Sequence, residues 1–433
     1  MDNPNNLILP DNSLIASQRS YIADYLYRFS NDECHPDFHF WSCLTLLGHV
    51  VGNRIWTMHG RFAFSPRLYT LMVGSAGSGK STAMREAKKL FVFTNPLSLI
   101  SEHIESREYI IGEMVDYAEF WRLPNEPKLQ EYHPMFLVVN ELAEFISVNP
   151  AKMLGFLIDV FDETSYGTGF KKDKEAGLGS QRFPNPCVSM IACAQPHWFL
   201  SNVKSEIFTR GLGRRCIILA REKFKLNDSP MEPSNSEAGW LRVKQHLTKL
   251  SSPKFFGEIK KTPAAAAWYT KWHNDPKRTK RYDDPILNEQ LLETQHVLLY
   301  KVATLLALSR YNFDFTITEN DYILALKNLH ALEKDIAELM STTGKNEMVP
   351  VAAMMVQAID SAGGWMEKAK LLLAFYRHAK DQRAFNDGLN FLCTTKQVYE
   401  RKLTLPGDSI QRVIVATPAG RQKLEEKGIR FED

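Results

Sequence analysis

No apolar run in this chain approaches the ~20 residues that cross a bilayer, so no membrane partner is expected. Cysteine is scarce and unpatterned. Cys34, Cys43, Cys187, Cys193, Cys216 and Cys393 form no C-x-x-C pair, and several lie in apolar runs such as CVSMIACA and RRCIILA. Such thiols read as reduced core residues of a cytoplasmic protein, not as disulfides or metal ligands. Charge bias is also lacking. With 53 basic and 50 acidic residues the net charge is +3, so any basic surface must be local. The opening MDNPNNLILPDNS is polar and acidic, which gives no sign of a secretory leader. Repeats and low-complexity tracts are missing as well. What remains is an ordinary globular balance in 433 residues, enough for two or three domains.

Against this plain background one stretch stands out, Leu68 to Phe93. Gly74, Gly79, Lys80 and Ser81 complete G-x-x-x-x-G-K-[ST], after an apolar run and before a helical one. Strand, loop and helix in that order are the context a phosphate-binding P-loop needs. Glycines let successive N–H groups turn inward around an anion, and the helix N-terminus adds its positive dipole end. The loop Gly74, Ser75, Ala76, Gly77, Ser78, Gly79, Lys80, Ser81 and Thr82 is therefore expected to cradle ATP. Lys80 would reach the β- and γ-phosphates, and Ser81 would join a Mg²⁺ shell.

In chain order, residues 1–12 read as a loose arm, and Ser13–Phe29 and Asp37–Val51 as helices. A short hairpin is expected around Gly60. Beyond the loop, Ser106 could cap a helix through Trp121, and Pro124, Pro127 and Pro134 punctuate a connection. Met135–Val139 is a buried strand ending in Asn140-Glu141, where a Walker B motif carries its acids. Glu141 would polarise an attacking water. Asn140 offers only a neutral oxygen to the metal where aspartate is usual. Asp162–Arg182 looks like a basic hairpin, with Lys171, Lys172 and Lys174 available to phosphate backbone. Cys187–Ala194 is another buried strand, and Gln195 at its tip suits a sensor of the γ-phosphate. Arg210, Arg214 and Arg215 precede a further strand, and Arg215 is the first choice for an arginine finger. Residues 222–284 read as irregular apart from a helix at Pro263–His273, with the basic run Lys277–Arg281 a solvated loop by default and a nucleic-acid contact as the alternative. Asn288–Tyr311 and Asn320–Ser341 are long helices, and Thr342–Met348 is a linker. Three helices, Val351–Ile359, Trp365–Tyr376 and Arg383–Cys393, then precede a strand pair and a last helix, the order of a winged helix.

GSAGSGKST, VVNELAEF, FDETSYGTGFKK, VSMIACAQP and GLGRRCIIL, in this order, resemble the helicase-like P-loop ATPases of phage, prophage and mobile-element replication modules. These are often joined to primases and are similar to superfamily-3 and AAA+ ring motors. The resemblance spans about residues 15–310. It implies a ring, a hexamer, with ATP between subunits and Lys301 standing where a sensor arginine sits.

The expectation is an α/β P-loop NTPase with an AAA+/superfamily-3-like parallel-sheet core. Its divisions are a helical collar at 1–64, the ATPase core at 65–222, a helical lid at 223–345 and a winged-helix domain at 346–433. The function expected is an ATP- and Mg²⁺-dependent DNA helicase or translocase on single-stranded DNA, with primase or other replication proteins as possible partners. An ATP-gated helicase loader or replication initiator is the alternative, and a P-loop small-molecule kinase a more distant one.

Overall fold

Ser20 opens the first helix, α1 (Tyr21–Arg28), by accepting the Ala23 N–H on its hydroxyl, a standard N-cap. The computed structural model describes residues 19–95, 100–101, 106–122, 129–147, 149–162, 165–167, 182–199, 211–221, 237–282, 288, 292, 294–341, 348–376, 382–404, 411–426 and 429. The arm at 1–12, Lys171, Lys172, Lys174, Arg210 and most of the expected linker lie outside these described residues. Two units divide the chain, Met1–Ala337 and Glu338–Asp433. No described helix is long and apolar enough to cross a membrane.

In the first unit α2 (Pro36–Val51) is buried on every side from Asp37 onward, as its unbroken apolar run requires. Leu44, Leu46 and Leu47 have no exposed surface, and each contributes about 1.5–3 kcal/mol by that burial. The expected hairpin follows as β1 (Ile55–His59) and β2 (Phe62–Phe64), turning at Gly60 with φ +57°.

The central sheet explains the next long stretch. Strand β3 (Tyr69–Val73) runs into the glycine-rich loop and α3 (Lys80–Thr94). After it come β4 (Ile100–Ser101), α4 (Arg107–Asp116), β5 (Glu119–Arg122) and β6 (Leu129–Val139). Helices α5 (Leu142–Ser147) and α6 (Pro150–Asp162) lead to the paired strands β7 (Ser165–Gly167) and β8 (Arg182–Pro184), the base of the expected basic hairpin. Strands β9 (Pro186–Ala194) and β10 (Cys216–Ala220) complete the set. The order is β10-β3-β9-β6-β4, parallel throughout, with β5 antiparallel on the outer side of β6. β3 and β9 are buried along their whole lengths, which is why they read as apolar runs without alternation.

Two sequence expectations fail in this region. The helix from Ser106 ends at Asp116, and Glu119–Arg122 is a strand paired with Leu129–Tyr132. That partner is distant in sequence, so local pattern does not announce it. β6 begins at Leu129 and contains Pro134, which was expected to break it. β5 pairs β6 up to Tyr132 and β4 from Phe136. The missing N–H of Pro134 therefore falls between two neighbours and costs no ladder bond there.

The remainder of the unit wraps the sheet with α7 (Glu237–Leu250), β11 (Gly257–Glu258), α8 (Pro263–His273), α9 (Gln295–Leu308) and α10 (Glu319–Ser341). α7 was missed, although Val243, Leu247 and Leu250 are buried at helical spacing. β11 pairs β1, and residues of α1, α2, α3, α7 and α9 share one hydrophobic core. The basic run is tied down as well. Arg278 donates to the Leu292 carbonyl, and Arg281 pairs with Glu333.

The second unit has its own core around Met355, Ile359, Phe385, Leu389, Leu392 and Val415. Its order is α11 (Met348–Ser361), β12 (Trp365–Glu367), α12 (Lys368–Tyr376), α13 (Gln382–Thr394), β13 (Tyr399–Thr404), β14 (Gln411–Ala416) and α14 (Pro418–Glu425). Trp365–Glu367, expected to begin a helix, is an edge strand on β14.

Candidate functional site

The loop between β3 and α3 is built by steric exclusion. A methyl group on Gly74 would lie 2.4 Å from the Arg221 carbonyl oxygen, and one on Gly79 would lie 2.0 Å from Cβ of Cys34. Gly77 and Gly79 hold φ of +80° and +91°, which side-chain-bearing residues avoid. Gly79 immediately precedes α3, whose first turn carries no acidic residue. Its positive dipole end therefore faces the loop without a competing carboxylate.

Lys80 is the first residue of that helix, and 8% of its surface is exposed. Its ammonium donates to the Gly74 carbonyl at 2.6 Å, the Ser75 carbonyl at 2.7 Å and the Ser78 hydroxyl at 3.2 Å. The cation is thus drawn over the loop by the loop's own oxygens. The next residue, Ser81, donates its hydroxyl to Oδ1 of Asn140 at 2.7 Å.

Asn140 stands at the end of β6, and β6 is not beside β3. β9 lies between them. The Asn140-Glu141 tip is thus one strand removed from the loop. The intervening tip carries Gln195, an exposed residue, while the Gly74 N–H donates to the Ala194 carbonyl just before it. Among the described residues the Gln195 side chain has no hydrogen-bond partner. Glu141 is half-buried beside Asn140. Burial lifts its carboxyl above the ordinary range and Glu144 pushes the same way. The Ala143 N–H and the Lys80 ammonium pull it back. A poised carboxylate of this kind suits a general base. Ser81 and Asn140 together present two oxygens, the donor type a hard divalent cation accepts.

The arginines sit elsewhere. Cys216 of β10 pairs with Tyr69 at the start of β3, so Arg214 and Arg215 lie at the end of the sheet away from their own glycine-rich loop. β10 is an edge strand. Arg215 is buried, with Nε 2.9 Å from Asp162 Oδ2, a second nitrogen on the same oxygen, and Nη1 on the Gly211 carbonyl at 2.8 Å. The first-choice finger is therefore held inside its own chain. Arg214 is half-buried and, among the described residues, has no ion-pair partner.

Lys301 also departs from its expected place. Its ammonium donates to the carbonyls of Ser65 at 2.7 Å and Arg67 at 3.1 Å. Arg67 precedes β3 and the loop follows it, a separation of roughly 20 Å along an extended strand. Lys301 braces the far end of the sheet instead of sensing a phosphate beside Lys80.

One residue at the loop had no sequence signal. The Arg221 N–H donates to Val73, and its carbonyl fills the space that makes Gly74 obligatory. Its guanidinium bonds Asp37 at 2.9 Å and also pairs with Asp335 of α10. The loop is thereby linked to the start of α2 and to a helix more than a hundred residues downstream in sequence.

No known protein-family model matches this chain, and no curated protein matches it by sequence.

Proposed function

We propose that the chain is a P-loop ATPase of the superfamily-3/AAA+ kind, working as an ATP-driven DNA helicase or translocase of a phage-like replication module. The observation that carries this reading is the Ser81–Asn140 contact. It joins the hydroxyl of the glycine-rich loop to the strand tip that bears Glu141, the pairing a nucleotide–metal site needs. In this reading the backbone of the loop Gly74–Thr82 and the Lys80 ammonium hold the phosphates of ATP. Mg²⁺, when bound, would take oxygens of Ser81 and Asn140 and offset phosphate charge. Glu141 orients and polarises the attacking water, and Gln195 hydrogen-bonds that water or the γ-phosphate. A ring, taken as a hexamer, brings Arg214 of one subunit to the nucleotide of the next. Lys171, Lys172 and Lys174 grip a single DNA strand, and the second unit is read as a winged helix that docks DNA or a replication partner such as a primase.

The test is phosphate release with and without single-stranded DNA, followed by strand displacement on a forked duplex. Stimulation with displacement is expected. Hydrolysis that responds to neither DNA nor oligomer formation would sink the motor reading. One observation favours a second reading. Asn140 supplies a neutral oxygen where a motor usually has a carboxylate, which suits a helicase loader or initiator in which ATP gates assembly. Single-strand stimulation without displacement would select it.

A further inference from the structure

The turn between α1 and α2 alternates between solvent and core. Asn31 is exposed and Glu33 and His35 are half-buried, while Asp32 and Cys34 between them are buried. His39, in the first turn of α2, reaches the same place. Ligand atoms of Asp32, Cys34 and His39 all lie within 4.8 Å of one another. The three residues are only 8%, 4% and 1% exposed. Among the described residues no other three histidine, cysteine or acidic side chains meet this closely. Cys34 belongs to no C-x-x-C pair, which is why it reads in the sequence as a core thiol. Its neighbours in space are a carboxylate two residues before it and an imidazole five residues after it.

His39 is held in one orientation. Its Nε2 lies 2.9 Å from Oδ2 of Asp32, and its ring stacks on Phe29 at 4.4 Å with 2° between the planes. The Asp32 N–H donates to the Phe29 carbonyl at 3.0 Å, so the end of α1 fixes both groups. The electrostatics favour a cation here. Among the described residues the Asp32 carboxylate has no lysine or arginine partner, and a buried carboxylate without a cation is costly. A hydrogen bond from His39 offsets part of that cost and makes no use of the thiol. A divalent ion held by one carboxylate, one thiolate and one neutral imidazole would satisfy all three groups at zero net charge.

We infer that Asp32, Cys34 and His39 form a binding site for a divalent transition-metal ion of the zinc type. Sulfur and imidazole donors select such an ion over magnesium or calcium, which prefer oxygen alone. Two ligands of a tetrahedral zinc ion lie roughly 3.5 Å apart, so small side-chain rotations suffice to close the set. Three protein ligands leave a fourth position for water. The site also has a structural consequence. Cβ of Cys34 is the atom that a methyl group on Gly79 would strike at 2.0 Å, so a bound ion would pin the α1–α2 turn behind the glycine-rich loop. This is a second metal site, opposite in donor chemistry to the two oxygens of Ser81 and Asn140.

The test uses the full chain, stripped with a chelator and titrated with Zn²⁺ and with Co²⁺ as a coloured probe. A single ion should bind, and cobalt should give a thiolate-to-metal charge-transfer band. Asp32→Asn and Cys34→Ser exchange one heavy atom each, and His39→Gln keeps a polar side chain. Each should lower zinc affinity by more than about 100-fold, since partners outside the coordination shell alone cost about 10- to 100-fold. Cys34→Ser should also erase the cobalt band, whereas Cys393→Ser, in the other unit, should leave affinity and band unchanged. Independently of any variant, X-ray absorption at the zinc edge of the wild type should show one sulfur at about 2.3 Å, with nitrogen and oxygen at about 2.0–2.2 Å. Failure of the wild type to bind zinc or cobalt would overturn the inference. So would a coordination shell without sulfur, or undiminished zinc affinity in Cys34→Ser and His39→Gln. None of these readouts involves ATP or DNA, so the result stands apart from the proposed function.

Discussion

The Ser81 hydroxyl and the Asn140 side-chain oxygen meet at 2.7 Å across the tip of an intervening strand. This contact fixes what a substitution at Asn140 can do. Asn140→Asp keeps the acceptor and adds a charge, so Mg²⁺ should be bound more tightly and Mg²⁺-dependent phosphate release should hold or rise. Asn140→Leu removes the acceptor and should raise the Mg²⁺ concentration needed for half-maximal rate. A magnesium titration of the three proteins checks this, and a large loss in Asn140→Asp would mean the amide itself is needed.

The glycine-rich loop and Glu141 separate binding from turnover. Lys80→Ala removes the cation already seated on the loop carbonyls and should abolish ATP-analogue binding. Gly79→Ala should do the same, because its methyl would collide with Cys34. Glu141→Gln should bind the analogue and release no phosphate. Equilibrium binding and single-turnover hydrolysis distinguish the three, and normal turnover in Glu141→Gln would remove it from the reaction.

Arg214 and Arg215 should behave differently despite adjacency. Arg215→Ala breaks the buried side of the Asp162 pair and should lower stability by about 1–3 kcal/mol, seen as an earlier denaturant midpoint. Arg214→Ala should fold normally, bind ATP and lose on the order of 10³-fold in rate. Mixing it with Glu141→Gln subunits should restore part of the activity, because an intact Glu141 site can then face an intact Arg214. Assembled mixtures that stay inactive would refute transfer between subunits.

Stability should fall in mild acid. Burial holds His49 down to about 3, helped by Arg67 and Arg54, and its ring stacks on Phe136 at 4.7 Å. Burial holds His246 down to about 4 against the hydrogen bond to Leu308, with Lys249 pushing it lower. Both folded values lie below the unfolded 6.5, so the unfolded chain binds more protons between them. The stabilisation from keeping these rings neutral is complete above pH 6.5 and declines as pH falls toward 4. The pair together would cost about 2.7 kcal/mol per pH unit in that window. Urea midpoints at pH 7, 6 and 5 check this, and a flat series would count against it.

Local sequence determined a good deal of this protein. Unbroken apolar runs marked β3, the inner half of β6, and β9, because strands covered on both faces cannot alternate. The pattern from Gly74 to Ser81 marked a turn of unusual backbone conformation, since only glycine adopts positive φ at low cost. The helix expected at Pro263–His273 is found with those bounds. Tertiary structure alone decided the rest. The insertion of β9 between β3 and β6 depends on strand order, which no local pattern encodes. The strand at Glu119–Arg122 exists because β6 extends far enough to pair with it. Arg215 reads as a free cation until α6 brings Asp162 against it, and Lys301 reads as a sensor until its ammonium meets the carbonyls of Ser65 and Arg67. Arg221 reads as nothing until Asp37 and Asp335 close on it. A side chain's charge is written in the sequence, but its partner is chosen by which distant elements pack together, and that choice decides whether the charge is spent in the core or kept for a ligand.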